Sequence, residues 1–218
     1  MNLTISPDGI ELPPGSEVIL RHQSWADYEG LLSSRRDRAA VKVYFGVKKQ
    51  EIRLMAPLPG HSNRSATLTD LVKALLRHQN QDWHAFDPLT LKRVSQTGVE
   101  PDACFYIQNR LAILGKERID LEIDPPPDLA LEVDLTSFTQ PADYEAIAIP
   151  ELWIYRSQGL RIYIFDSEHY QESEVSGIFP DIAVKQLIPR YVELAWSQGS
   201  SSALRAFEVE LAFEVELA

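Results

Sequence analysis

Apolar positions recur along this chain with two different periods, and the switches between them outline a fold. Leu68, Leu71, Val72, Leu75 and Leu76 fall at i, i+3, i+4, i+7 and i+8. That spacing predicts an amphipathic helix, with Ser62 or Ser65 as its N-cap. Ser24 to Ser33, with Trp25, Tyr28, Leu31 and Leu32, repeats the pattern over a shorter span and predicts a first helix. Between the two, Val41-Lys-Val-Tyr-Phe45 and Glu51-Ile-Arg-Leu-Met55 have strand character, and Gly46 to Gln50 is long enough to join them as a hairpin closed by Pro57 and Pro59-Gly60.

Period two dominates the second half. Ala103, Phe105 and Ile107 alternate with Asp102, Cys104 and Tyr106, so a strand is expected to begin at Asp102. Ile119, Leu121 and Ile123 alternate with Asp120, Glu122 and Asp124 before Pro125-Pro-Pro127 forces a break. In Leu129 to Leu135, Leu129, Leu131, Val133 and Leu135 share one strand face, and Glu132 and Asp134 share the other. Thr136 or Ser137 is placed to cap a short helix through Tyr144 and Ile147, ending before Pro150. Leu152-Trp-Ile-Tyr155 and Leu160-Arg-Ile-Tyr-Ile-Phe165 form the clearest hairpin, and a last helix is expected from Asp181 or Pro189 to Trp196. Interleaved strands and helices give an α/β or α+β fold, a central mixed sheet flanked by helices.

The tail carries Phe207-Glu-Val-Glu-Leu-Ala212 again as Phe213-Glu-Val-Glu-Leu-Ala218. Two hexads are too few for a solenoid. The segment is an accidental duplication or, since Phe, Val and Leu alternate with Glu and Ala, an added edge strand. With no linker-like stretch in 218 residues, one domain is expected: an arm over 1–23, a core over 24–196 and the tail over 197–218.

Composition narrows the partners. The single Cys104 excludes an internal disulfide framework and suits a reducing cytoplasm, where Cys104 would be a small buried hydrophobe. No apolar run approaches the length of a membrane span. A net charge of −11 opposes nucleic-acid binding unless a basic face is local. Arg35, Arg36, Arg38, Lys48, Lys49, Lys92 and Arg93 could supply one, or could be solvated surface charge.

The candidate chemistry lies in carboxylates. Strand geometry puts Glu132 and Asp134 side by side with Cα atoms ~6.5–7 Å apart, and the segment carrying Asp102 can add a third acid. Such oxygens suit a hard divalent cation. Glu132, set among Leu, Ala and Val, needs a solvent opening, a partner or a metal. Asp102 could instead shape the turn entering its strand, and Asp134 could cap the next helix. His61 is either a phosphate or metal contact or a residue packed beside its helix, and Trp153 reads as core.

Glu51-Ile-Arg-Leu-Met-Ala-Pro57 followed by His61, Val99-Glu-Pro-Asp102, Asp128-Leu-Ala-Leu-Glu-Val133, and Tyr144 leading into Ile149-Pro-Glu-Leu-Trp-Ile-Tyr155 occur in an order that resembles the Uma family of restriction endonucleases. These mostly cyanobacterial proteins are similar to the PD-(D/E)XK nucleases, and the resemblance spans roughly Tyr44 to Phe165. It implies a restriction-endonuclease-like fold and Mg²⁺- or Mn²⁺-dependent hydrolysis of DNA. Asp102 and Glu132 would be the metal-binding acids, Glu51 a third and Asp134 an accessory. A homodimer would suit cutting both strands. The chain departs from the family where a lysine is expected. Asp134 occupies the usual lysine position and Gln140 the alternative one, and no Lys or Arg occurs between Arg118 and Arg156. The catalytic ammonium would then come from Lys73 or Lys92, or be absent. Three readings follow: an active nuclease, a degenerate nuclease fold that binds nucleic acid or protein without cutting, and a structural dimer.

Overall fold

The computed structural model describes residues 12–35, 41–135 and 138–216. The chain enters through β1 (Glu17–Arg21), α1 (Trp25–Arg35), the hairpin β2 (Lys42–Gly46) and β3 (Glu51–Met55), and α2 (Pro59–His78). Short strands follow: β4 (His84–Phe86), β5 (Leu91–Arg93), β6 (Thr97–Val99) and β7 (Ala103–Tyr106), then one helical turn, α3 (Arg110–Ile113). Next come β8 (Leu129–Asp134), a 3-10 turn at Pro141–Asp143, β9 (Glu151–Arg156), β10 (Gly159–Phe165) and β11 (Tyr170–Ser173). Two helices close the chain, α4 (Val184–Gln198) and α5 (Ser200–Glu216).

The expected mixed sheet is present, in the order β11-β10-β9-β8-β7-β4. Within it β8 and β9 run parallel while the other neighbours are antiparallel. A second, antiparallel sheet, β1-β3-β2-β6-β5, accompanies it. One face of the larger sheet, with Leu129, Leu131, Val133, Trp153 and Ile162, packs under α2, α4 and α5. Its other face, with Ala130, Leu152 and Ile154, meets Tyr44, Leu91 and Val99 from the smaller sheet. Beyond that sheet, Val43, Phe45, Ile52 and Leu54 pack with Tyr28 of α1. The Tyr28 ring lies over Gly98 so closely that a Cβ there would collide with its hydroxyl.

Because β8 is covered on both sides, all six of its residues are buried, and its acidic face looks into the space between sheets rather than into water. The crossing from one sheet to the other is Glu100-Pro101-Asp102, between β6 and β7.

Several expectations are corrected. Part of the supposed arm, Glu17–Arg21, is the edge strand beside β3; residues 1–11 lie outside the described residues. Helix α2 starts at Pro59, so Ser62 and Ser65 sit inside it, and Leu58 stands at the N-cap with no side-chain bond. Pro suits a first helical position because its missing N–H is one the helix leaves unpaired anyway. Ile119 to Ile123 is a turn, not a strand. There the Asp124 carboxylate accepts from Lys116 and from the Asp120 N–H, which leaves Ile123 80% exposed. The helix expected after Thr136 or Ser137, both outside the described residues, is reduced to the Pro141–Asp143 turn.

The duplicated tail is helical, not an edge strand, as far as Glu216. Glu, Leu and Ala are good helix formers, and a helix aligns Ala203, Phe207 and Leu211 on one buried face. Arg77 to Glu208 and Arg190 to Glu210 tie that helix to α2 and α4. Phe207→Ala should therefore lower unfolding stability by about 3–5 kcal/mol in a urea titration. A change below about 1 kcal/mol would show that the tail is not part of the cooperative core.

Candidate functional site

Lys42 and Tyr44 share one face of β2, opposite Val43 and Phe45, because side chains alternate along a strand. That face points at the larger sheet. Phe45 is paired with Gly98, and extending this antiparallel register brings Lys42 level with Pro101, inside the crossing segment. The Val43 N–H is taken by Glu100 Oε2 at 2.8 Å, and Thr90 Oγ1 donates to Glu100 Oε1 at 2.6 Å. Tyr44 Oη donates to the Glu100 carbonyl at 3.0 Å. The smaller sheet is thus stitched to the crossing directly beside Asp102.

Asp102 and Glu132 converge on a single point, and the Lys42 ammonium occupies it. Lys42 Nζ donates to Asp102 Oδ1 and lies 3.5 Å from Glu132 Oε2. The outer oxygens are fixed by other donors. Asp102 Oδ2 accepts from the Val133 N–H at 2.7 Å, and His61 Nε2 lies 3.2 Å from it without the alignment of a hydrogen bond. Glu132 Oε1 accepts from Tyr144 Oη at 2.5 Å, and Tyr44 Oη, 3.3 Å away, shares its one proton between this oxygen and the Glu100 carbonyl. Asp102, Lys42, His61 and Glu132 are each no more than 7% exposed.

Burial and charge separate the two acids. Burial pushes Asp102 up, but Lys42 and His61 outweigh it and hold the carboxyl down at about 2. Burial pushes Glu132 up to about 8; Lys42 opposes this, and the Asp102 charge reinforces it. Burial works against the Lys42 ammonium, yet Asp102 and Glu132 keep its pKa above the usual lysine range. Tyr44 and Tyr144 are held far above ordinary phenols, by burial first and then by Glu132, so they remain hydroxyl donors.

The other candidates are placed elsewhere. Asp134 shares the Glu132 face, but its oxygens accept from Thr139 N–H, Thr139 Oγ1 and Arg156, so it anchors the segment after β8 instead of joining Lys42. Glu51 pairs with Arg21 at 3.2 Å. It sits four residues from Met55, the partner of Lys42, which is ~13 Å along the strand. Gln140 accepts from Lys49 at 2.8 Å on the surface. Lys92 reaches Glu29 of α1 at 2.8 Å, and Lys73, 3.9 Å from Asp70 on α2, acts with Lys42 to lower the Asp87 carboxyl that burial and Asp102 raise.

Arg21, Lys49 and Arg53 line an open basin of about 580 Å³ with Glu51, Phe138 and Gln140. Each of these cations has an acid or amide partner, which tempers the basic face: Arg21 with Glu51, Lys49 with Gln140, Arg53 with Asp143. Arg36, Arg38 and the Arg35 side chain lie outside what the structure describes.

Lys42 is the residue that sequence reasoning missed. Its signal was a lysine inside a valine-flanked strand, on the face of Tyr44. Only the pairing of β2 with β6, more than fifty positions apart, brings it to Asp102.

A family model described as "Putative restriction endonuclease" matches residues 25–197. The chain belongs to the Uma2 family. Among solved structures, this Uma2 protein is similar to a crystal structure of "a putative nuclease belonging to DUF820" from Anabaena variabilis ATCC 29413. The identity is 14%, the match covers 83% of this chain and 98% of that chain, and the TM-score is 0.49. No curated protein matches.

The donor chemistry here fits the hard divalent cation that restriction endonuclease-like families use. Two carboxylates, Glu132 from β8 and Asp102 from the crossing between the sheets, already converge on one positive charge. Among the described residues no group of three or more His, Cys, Asp or Glu side chains is arranged to hold an ion. Mg²⁺ accepts such a sparse set, because it keeps several waters and often takes only one or two protein carboxylates.

The Glu132 shift has a measurable consequence. With its folded pKa near 8 against an ordinary 4.5, the folded state binds this proton more tightly. Unfolding releases it between those values, so stability falls as pH rises from about 4.5 to about 8, by up to ~1.4 kcal/mol per pH unit. Glu132→Gln cannot ionise and should flatten that slope in urea titrations at pH 5.5, 7 and 8.5. Parallel slopes in the two proteins would refute the assignment.

Proposed function

We propose that this Uma2 protein is a divalent-cation-dependent nuclease that hydrolyses phosphodiester bonds in DNA, with Asp102, Glu132 and Lys42 as its working groups. The observation that carries this reading is the contact of the Lys42 ammonium with Asp102 and its 3.5 Å approach to Glu132. Two acids and one lysine are the side-chain types that PD-(D/E)XK chemistry requires, although the lysine here comes from a strand remote in sequence. Family membership supports the reading independently.

Asp102 and Glu132 would hold Mg²⁺ or Mn²⁺, which when bound supplies Lewis acidity at a phosphate oxygen and lowers the pKa of a water. The residues of the chain do the rest. The Val133 N–H fixes Asp102 Oδ2, and the tyrosine hydroxyls fix Glu132 Oε1, so the free oxygens of both acids face the same point. The Lys42 ammonium orients the attacking water and offsets charge that builds on the phosphate. His61, at the first turn of α2, stands 3.2 Å from Asp102 Oδ2 and would be a polar neighbour of a bound phosphate. Cutting a duplex on both strands calls for two such centres, hence a homodimer.

One observation favours the degenerate binding module: Asp102 is 4% exposed and Glu132 2%, so substrate reaches them only if the site opens. Nicking of supercoiled plasmid by the full chain separates the readings. Cutting is expected with Mg²⁺ or Mn²⁺ and not with a chelator. Asp102→Asn and Lys42→Gln, each checked for folding by circular dichroism, should slow it by on the order of 10²–10³. Plasmid left intact by the folded wild type under every cation overturns the nuclease. Undiminished cutting by Asp102→Asn removes this site from the reaction.

A further inference from the structure

We infer that Lys42 is a resident counter-ion of the metal site: it fills the point of convergence of Asp102 and Glu132 in the resting protein and must leave that point before a divalent cation can bind. This rests on the reading of Asp102 and Glu132 as metal ligands and adds what happens to the lysine. The argument is one of lone pairs. Asp102 Oδ2 is engaged by the Val133 N–H and crowded by His61 Nε2, and Glu132 Oε1 is engaged by two tyrosine hydroxyls. The oxygens left to face a common centre are Asp102 Oδ1 and Glu132 Oε2, the two that approach Lys42 Nζ. A divalent cation needs those oxygens at ~2.0–2.1 Å, which the ammonium already prevents by volume and by charge.

The displaced group is not lost to the site. Lysine carries its charge on a flexible four-carbon stem, so the ammonium can swing by several ångströms while β2 stays paired to β3 and β6. Freed from the carboxylates, it becomes the cation available to a phosphate. One residue thus neutralises the buried acids before loading and serves the substrate after it. The cost is weaker metal affinity, since the ion competes with an internal cation at high effective concentration.

Two measurements without substrate test this. Mn²⁺ binding by calorimetry should be at least about tenfold tighter in Lys42→Met than in wild type, a difference of about 1.4 kcal/mol. It should vanish when Asp102→Asn is added. In the wild type, amine acylation followed by peptide mass spectrometry should show Lys42 reacting at least several-fold faster with saturating Mn²⁺ than with a chelator. This second arm decides the matter alone if Lys42→Met does not fold. Equal or weaker Mn²⁺ binding in folded Lys42→Met, or Lys42 acylation unchanged by Mn²⁺ that does bind, overturns the counter-ion role and leaves the nuclease reading standing. Absence of Mn²⁺ binding in both proteins overturns the metal-dependent reading and this inference together.

Discussion

The architecture depends on one buried charge cluster, the Lys42 ammonium with Asp102 and Glu132, at the seam between the two sheets. Lys42 belongs to the smaller sheet, Glu132 to the larger, and Asp102 to the segment that crosses from one to the other. Charges so deeply buried are costly unless every lone pair and proton has a partner. Here a backbone N–H and two tyrosine hydroxyls supply them, while His61 Nε2 stands 3.2 Å from Asp102 without a hydrogen bond. The cluster is better understood as a device that fixes how the sheets meet than as a source of net stability.

That seam also explains why the two acids behave differently. Both are buried, but Asp102 has the short contact with Lys42 and sits beside His61, whereas Glu132 has the longer approach and two neutral phenols. The surroundings push the two in opposite directions, Asp102 toward the ionised form and Glu132 toward the protonated one. Opposed environments for neighbouring titratable groups are what functional sites are built from, although structural ion pairs share the property.

Much of this was legible in the chain. The α2 periodicity, both hairpins and the strand through Glu132 follow from local patterns, because burial of one face imposes period 3.6 or 2 wherever a segment packs. Local patterns also misled. Ile119 to Ile123 alternates like a strand, yet Asp124 and the prolines hold it as a turn. The tail alternates too, yet its helix-forming residues and a neighbouring groove between α2 and α4 make it helical.

Sequence alone determined helix α2, the two hairpins and the strand through Glu132, the family, and the pair of acids that the fold brings together. Tertiary structure decided which lysine meets them. It also decided that Asp134, Glu51, Gln140, Lys73 and Lys92 are engaged elsewhere. The reason is range. Periodicity reports which face of an element is buried, but a charge–charge contact forms wherever two elements dock, and the register of β2 against β6 is written in no single stretch of chain.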